Sequence, residues 1–250
     1  MITFSLYNIK GGVGKTAAAV NLSYLAAQEQ NKTLLCDLDP QSSATYYFRI
    51  KPKIKQGVKP LLKGKKKLDK NIKETDYDFL DLLPADFSLR NMDILLNNVK
   101  ESKVRLKNIL KTFKSDYRFV FLDCPPNITL VSENVFYASD FILVPVIPTT
   151  LSCRTFDKLF TFFKKEKLGT KKIVPFFSMV EIRKNMHKES LEELTKQYPF
   201  FLKTRIPYSS FVEKMGVYQE PVGCFSPRSV PAQQYQILWN EIKKLVKEKK

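Results

Sequence analysis

A glycine-rich stretch near the amino terminus contains the residue types that bind phosphate. It reads NIKGGVGKTAAAV and spans Asn8–Val20. Gly11, Gly12 and Gly14 allow a tight turn in which successive backbone N–H groups point at phosphate oxygens. The ordinary phosphate-loop motif would have its first glycine where this chain has Ile9. The stretch is therefore a variant of that motif.

Three side chains in this loop predict different parts of the chemistry. Lys15 is expected to reach the β- and γ-phosphates of a nucleotide, and the Thr16 hydroxyl is expected to ligate Mg²⁺. Lys10 stands five residues before Lys15, where ordinary versions of the loop need no charge. The helix that begins near Lys15 adds the positive end of its dipole. The loop residues predicted to bind nucleotide are Gly11, Gly12, Val13, Gly14, Lys15, Thr16 and Ala17.

Acidic residues stand at the ends of two further apolar runs. Asp37 and Asp39 lie in CDLDPQSSAT, Cys36–Thr45, and Asp123 lies in FVFLDCPP, Phe119–Pro126. Acidic groups at strand ends can approach a metal ion and an attacking water. Asp123 is the expected Walker B carboxylate, which holds Mg²⁺ through water.

The elements that must position these residues are short apolar runs alternating with helical patterns. This alternation predicts an α/β fold, a doubly wound and mostly parallel sheet with helices on both faces. The carboxyl ends of its strands would form the ligand crevice. We predict one P-loop ATPase domain over residues 1–250. The predicted strands are Ile2–Tyr7, Thr33–Asp37, Phe79–Leu83, Phe119–Asp123, Phe141–Ile147, Ile173–Met179 and Phe201–Ile206. The predicted helices are Thr16–Gln28, Val104–Phe113, Ser190–Gln197 and Gln234–Lys247.

The chain is strongly basic, with 42 Lys and Arg against 25 Asp and Glu, a net charge of +17. This excess favours a polyanionic partner. More than half of it lies in Lys51–Lys73, which holds ten lysines and one aspartate. The segment is either a solvated loop or an arm that contacts a polyanion. Part of the lysine excess is also what an AT-rich genome would produce.

Several function classes are disfavoured by composition. There is no run of 18 or more apolar residues, so we expect neither a signal peptide nor a membrane span. The four cysteines are far apart and form no C-x-x-C pair, which favours free thiols in a reducing cytosol. With His187 as the single histidine, a Ser-His-Asp triad or a histidine-rich metal site is hard to build.

Three sequence elements, in this order, resemble the ParA/MinD family of deviant Walker-A ATPases. They are KGGVGKT (Lys10–Thr16), DLDPQ (Asp37–Gln41) and DCPP (Asp123–Pro126). The resemblance is closest to the ParA-type partition ATPases of plasmids and chromosomes. It covers nearly the whole chain apart from the lysine-rich segment.

The resemblance implies roles for individual residues. Lys10 matches the family's signature lysine, which reaches across a nucleotide-sandwich dimer to the partner's phosphates. Lys15 has its ordinary Walker role. Asp39 matches the residue that activates or positions the hydrolytic water and is a possible water-mediated metal ligand, beside Thr16 and Asp123. Pro207 matches a segment whose backbone contacts adenine.

The resemblance also implies a function. An ATP- and Mg²⁺-dependent homodimer would bind double-stranded DNA without sequence preference. A ParB-like adaptor bound to a centromere-like site would stimulate slow ATP hydrolysis and release the dimer. The expected location is cytoplasmic and nucleoid-associated in a bacterium, with no stable membrane association. Only nine residues precede Lys10, so no N-terminal helix-turn-helix domain is expected.

The chain departs from the family pattern at the DNA contacts. Partition ATPases commonly carry arginines just after the IP dipeptide, but this chain reads IPYSSFVEKMG, Ile206–Gly216, where only Lys214 remains. Arg183 matches a family arginine, although Glu181 replaces the preceding aspartate. After Asp39, where the family often reads QGNAT, this chain reads QSSAT, Gln41–Thr45. The candidate DNA contacts are Arg183, Lys214, Lys63, Lys65, Lys66 and Lys67.

Three other interpretations stay open at the level of sequence. A MinD-like membrane-cycling ATPase would use an amphipathic C-terminal helix, and the tail Tyr235–Lys250 has an apolar stripe among lysines. The alternative for this tail is a final helix packed on the sheet. A passive nucleic-acid-binding protein would keep the loop without turnover, and an iron–sulfur reductase would need cluster-ligating cysteines.

Overall fold

The computed structural model describes residues 1–51, 64, 68–99 and 101–248. The four lysines proposed from the basic segment, Lys63, Lys65, Lys66 and Lys67, lie outside the described residues. The strands are β1 (Ile2–Leu6), β2 (Thr33–Asp37), β3 (Lys73–Glu74), β4 (Leu80–Leu83), β5 (Phe119–Asp123), β6 (Phe141–Val146), β7 (Ile173–Val180) and β8 (Arg205–Pro207). The helices are α1 (Lys15–Gln28), α2 (Ser43–Tyr47), α3 (Met92–Asn97), α4 (Arg105–Lys111), α5 (Leu130–Ala138), α6 (Thr150–Lys165), α7 (Asn185–Gln197), α8 (Ser210–Glu213), α9 (Met215–Tyr218), α10 (Val222–Phe225) and α11 (Val230–Glu248).

The eight described strands form one sheet in the order β3-β4-β2-β5-β1-β6-β7-β8. All neighbouring pairs are parallel except β3 and β4. Strands β2 to β5 lie on one side of β1, and β6 to β8 lie on the other. The strand order therefore reverses at β1, which opens a crevice at the carboxyl ends of the strands. The predicted doubly wound, mostly parallel α/β fold is confirmed.

Most predicted strands match the structure to within about two residues, and one is misplaced. Phe201–Ile206 was predicted as a strand, but β8 begins only at Arg205. The apolar character of the earlier residues comes from side-chain burial, since the Phe201 ring stacks on Phe177 with centroids 4.5 Å apart. Hydrophobicity alone therefore placed the strand start too early.

The sheet is covered on both faces by apolar residues. One core lies between the sheet and the helices α3–α7, and the other lies under α1 and α11. In α11 the buried residues include Tyr235, Leu238, Trp239, Ile242 and Val246. The apolar stripe of the C-terminal tail is thus part of the core, which confirms the packed-helix alternative. None of the described helices combines the length and apolar character needed to cross a membrane.

The Trp239 indole lies at the centre of the second core. Its ring meets Phe119 edge-on at 5.4 Å and Phe4 edge-on at 6.1 Å between centroids. Such contacts between aromatic rings add to the free energy gained from burial. The contact joins the last described helix to the first strand of the sheet.

Replacing Trp239 with alanine should lower the free energy of unfolding by about 3–5 kcal/mol, because a fully buried indole leaves a large cavity. Urea titration followed by circular dichroism measures the change. Ile237→Ala is the matched control, since Ile237 is on the same helix and 45% exposed. It should change the stability by less than about 1 kcal/mol. A similarly small loss for Trp239→Ala would contradict this assignment of the core.

Candidate nucleotide site

The glycine loop connects the end of β1 to the start of α1. Gly14 caps α1 with a φ of 87°, in the left-handed region. A Cβ atom at Gly14 would lie 2.9 Å from Ser178 Oγ, so both backbone conformation and space favour glycine. The amino terminus of α1 therefore points out of the carboxyl edge of the sheet, as an anion-binding helix must.

A cleft of about 340 Å³ opens at this edge. Every loop residue predicted to bind nucleotide lines it, from Gly11 to Ala17, and so does Asp39. Pro207 ends β8 but is absent from the lining residues. The cleft is also lined by Ser43 of the QSSAT segment and Pro126 of the DCPP motif. Four further lining residues were not singled out from the sequence, namely Tyr47, Met179, Val212 and Glu213.

These additional lining residues come from elements without a recognisable motif. Met179 is near the end of β7, and Val212 and Glu213 belong to the four-residue helix α8 after β8. They line the cleft together with the residues of the phosphate loop. The one available signal was their position after predicted strands, because ligands bind at the carboxyl ends of strands in such sheets.

Lys15 lies deep in the loop, with 7% of its surface exposed. Its Nζ donates to the carbonyl oxygen of Lys10 at 3.2 Å. Burial lowers the pKa of Lys15, and the nearby Asp123, Cys124 and Asp39 oppose that effect. An anion placed in the cleft would stabilise the charged form of Lys15.

The carboxylate of Asp37 accepts hydrogen bonds from nearby residues of the same chain. Its carboxylate accepts from Asp39 N at 3.1 Å, from Thr45 N at 2.8 Å and from Thr45 Oγ1 at 2.7 Å. Burial raises the pKa of Asp37 to about 6, although these hydrogen bonds oppose the shift. Asp37 thereby folds the segment that follows β2 and leaves Asp39 at the cleft.

Asp123 is the unsatisfied group of the site. It pairs in register with Asp37 on the neighbouring strand and has no exposed surface. Neither carboxylate oxygen accepts a well-formed hydrogen bond from the described residues. Burial, and then the charge of Asp37, raise the pKa of Asp123 well above its usual range, while the Thr16 hydroxyl and Lys15 lower it.

A divalent cation fits these residues. The Asp123 carboxylate accepts no well-formed hydrogen bond from the described residues and lies next to the Thr16 hydroxyl. Together they are hard oxygen ligands of the kind that Mg²⁺ prefers. The described residues contain no cluster of three or more His, Cys, Asp or Glu that could hold a metal alone. Thr16 and Asp123 would therefore hold Mg²⁺ together with phosphate oxygens and water.

Two of the proposed DNA contacts, Arg183 and Lys214, follow elements that contribute residues to the cleft lining. Arg183 is exposed in the turn after β7, and Lys214 is exposed between α8 and α9. Because β7 and β8 are neighbours, both side chains belong to the same edge of the sheet. The Arg183 turn is closed by an ion pair between Lys184 and Glu181 at 2.5 Å.

The comparisons with known proteins agree with this geometry. The family model AAA_31, described as an AAA domain, matches residues 1–176. Sporulation initiation inhibitor protein Soj from Bacillus subtilis is 30% identical over 244 residues, covering 95% of this chain and 96% of Soj. The chain belongs to the Soj/ParA family. The predicted resemblance to ParA-type ATPases is confirmed.

Solved structures show the same fold as this Soj/ParA family member. A candidate plasmid partition protein from Borrelia burgdorferi B31, bound to AMPPNP, has a TM-score of 0.82 at 24% identity, covering 97% of this chain and 99% of that one. Cobyrinic acid a,c-diamide synthase from Mycobacterium smegmatis, bound to ADP and magnesium, has a TM-score of 0.81 at 22% identity, covering 100% and 97%. At these identities the likeness establishes the fold alone.

Replacing Asp123 with asparagine should stabilise the nucleotide-free protein above neutral pH. The raised pKa of Asp123 means that its contribution to stability is greatest below pH 4 and is lost as pH rises through the folded-state pKa. The gain for Asp123→Asn should therefore grow between pH 5 and pH 8, to at least about 1 kcal/mol. Urea titrations at both pH values measure it.

The same variant should lose the extra stability that Mg²⁺ with nucleotide confers on the parent protein. Asp78→Asn is the control, because Asp78 is exposed and its neutralisation should change neither quantity. A destabilised Asp123→Asn protein at pH 8 would contradict the assignment of Asp123 as an uncompensated buried charge.

Proposed function

We propose that this chain is a DNA partition ATPase that dimerises around ATP and Mg²⁺. The observation that carries the proposal is that the side chains of the two loop lysines lie in different places. Lys15 lies in the cleft of its own subunit, whereas Lys10 does not line that cleft and directs its ammonium to Ser152. A lysine that is conspicuous in the loop but unused by its own site is suited to act on the site of a second subunit.

The residues of the cleft suggest how hydrolysis would proceed. The loop N–H groups and Lys15 bind the phosphates of ATP, and Mg²⁺ would neutralise charge between the phosphate oxygens and Asp123. Asp39 lines the cleft with part of its surface open, so it positions the attacking water. Lys10 of the partner would offset the negative charge that two facing nucleotides bring together.

DNA is the proposed polyanionic partner of the dimer. The net charge of +17 and the exposed Arg183 and Lys214 support it. The curated relatives include a chromosome-partitioning ATPase Soj from Treponema pallidum, which is consistent with this use. We propose that a ParB-like adaptor stimulates slow hydrolysis and that the protein is nucleoid-associated. The apolar stripe of α11 is largely buried in the core, which favours the partition role over a MinD-like membrane role.

Lys10→Ala should bind ATP but remain a monomer of 29.0 kDa. The dimer should weaken at least about 30-fold, because two nucleotides would face each other without a lysine donated in trans. Size-exclusion chromatography with light scattering, with ATP and Mg²⁺, measures the mass. Asp39→Ala, which should hold ATP without hydrolysing it, provides the dimer reference.

Lys188→Ala is the matched control for Lys10→Ala, since Lys188 is an exposed lysine of α7 and its removal should leave the dimer intact. ATP-dependent dimerisation of Lys10→Ala at the parent concentration would refute the trans role. A parent chain that binds ATP and stays monomeric would refute the sandwich mechanism.

The double variant Arg183→Ala and Lys214→Ala should bind DNA more weakly than the parent protein, whatever the DNA sequence. Each lost phosphate contact reduces the magnitude of the log–log salt slope by about 1, from a starting slope of about −5 for six phosphates. Fluorescence anisotropy with ATP at several salt concentrations measures both quantities. Lys188→Ala and Lys196→Ala, which remove exposed charges on α7, are controls for net charge. Equal slopes for the double variant and the controls would remove Arg183 and Lys214 from the DNA contact.

A further inference from the structure

The side chain of Lys10 has a defined partner in this structure. Its Nζ donates to Ser152 Oγ at 3.1 Å. Ser152 lies in the first turn of α6, is fully buried, and also accepts from Thr149 Oγ1 at 3.2 Å. The acceptor of the Lys10 ammonium is therefore a buried side chain, which makes this a specific contact.

The backbone of Lys10 is held on both sides. Lys10 N donates to Asn8 Oδ1 at 2.9 Å, and Asn8 is itself anchored by donation to Pro145 O at 2.8 Å. The Lys10 carbonyl accepts from Lys15 Nζ. The two loop lysines and Ser152 thus form a connected chain of hydrogen bonds that links the phosphate site to α6.

This contact is suited to being broken. Ser152 supplies a neutral acceptor, and the first turn of α6 has no acidic residue. The positive end of the α6 dipole also opposes a cation at this place. A phosphate oxygen is a much stronger acceptor for an ammonium group than a serine hydroxyl. A phosphate brought within reach would therefore draw Lys10 away.

We propose that Ser152 is a positioning residue that holds Lys10 in the nucleotide-free subunit and sets the ATP concentration at which two subunits join. The inference rests on the proposed function, because it takes Lys10 as the residue donated in trans. ATP phosphates engage Lys15 and remove its contact with the Lys10 carbonyl. Lys10 then exchanges Ser152 for the phosphates of the second subunit.

The first test compares the ATP dependence of dimerisation in three variants. Ser152→Ala frees Lys10 and should lower the ATP concentration at half-dimerisation by roughly three- to tenfold. Ser152→Asp replaces a neutral acceptor by a carboxylate and should raise it by a similar factor, with a smaller effect at about 0.5 M salt. Ser139→Ala is the control, a buried serine that donates to its own helix at Val135 O. Half-dimerisation that is unchanged, or shifted upward by both substitutions, would overturn the proposal.

The second test does not depend on dimerisation. In the nucleotide-free monomer, an amine-acylating reagent followed by peptide mass spectrometry reports the rate at which each lysine reacts. Ser152→Ala should increase the rate at Lys10 at least about twofold relative to Lys188, because an amine without a hydrogen-bond partner is more available. An unchanged rate at Lys10 overturns the Ser152 contact, whereas a dimerising Lys10→Ala protein overturns the trans role alone.

Discussion

Two carboxylates buried side by side at the ends of β2 and β5 are the constraint around which the site is built. Asp37 and Asp123 face each other in register, and almost nothing of either is exposed. Burying like charges together is expensive unless other groups compensate. The chain compensates Asp37 with three hydrogen bonds from its own residues, whereas no described residue gives Asp123 a well-formed one. The Asp123 carboxylate is therefore stabilised when a cation binds beside it.

The surroundings of this pair follow from the same requirement. Thr45 satisfies Asp37 and also accepts from Ala85 N at 2.9 Å, so the turn after β2 is joined to the end of β4. On the other side, the start of α1 brings Thr16 and Lys15 to Asp123. The glycines of the loop make that approach possible, since a side chain at Gly14 would collide with Ser178. The neighbours of Asp37 thus donate hydrogen bonds to it, whereas the neighbours of Asp123 leave room for a ligand.

The sequence located the phosphate loop and the carboxylates beside it, but not the remaining residues that line the cleft. Continuous apolar runs identify buried parallel strands, and a glycine loop between strand and helix has few other uses. Met179 and Val212 could not be assigned because they are ordinary apolar residues whose role depends on β7 and β8 being neighbours. Helix α6 was not among the predicted helices, although Phe156, Leu159 and Phe163 follow helical spacing. Helices α8–α10 are too short to show any period. The contact between Lys10 and Ser152 joins residues 142 apart in sequence, which no local pattern reveals.

The packing of Trp239 against Phe4 joins parts of the chain that are 235 positions apart in sequence. β1 lies inside the sheet, between β5 and β6, and its aromatic side chain is covered by a residue of α11. If α11 were detached by proteolysis, the aromatic residues of β1 and β5 would lose this cover. The nucleotide loop follows β1 directly, so an intact α11 supports the strand from which the phosphate motif projects.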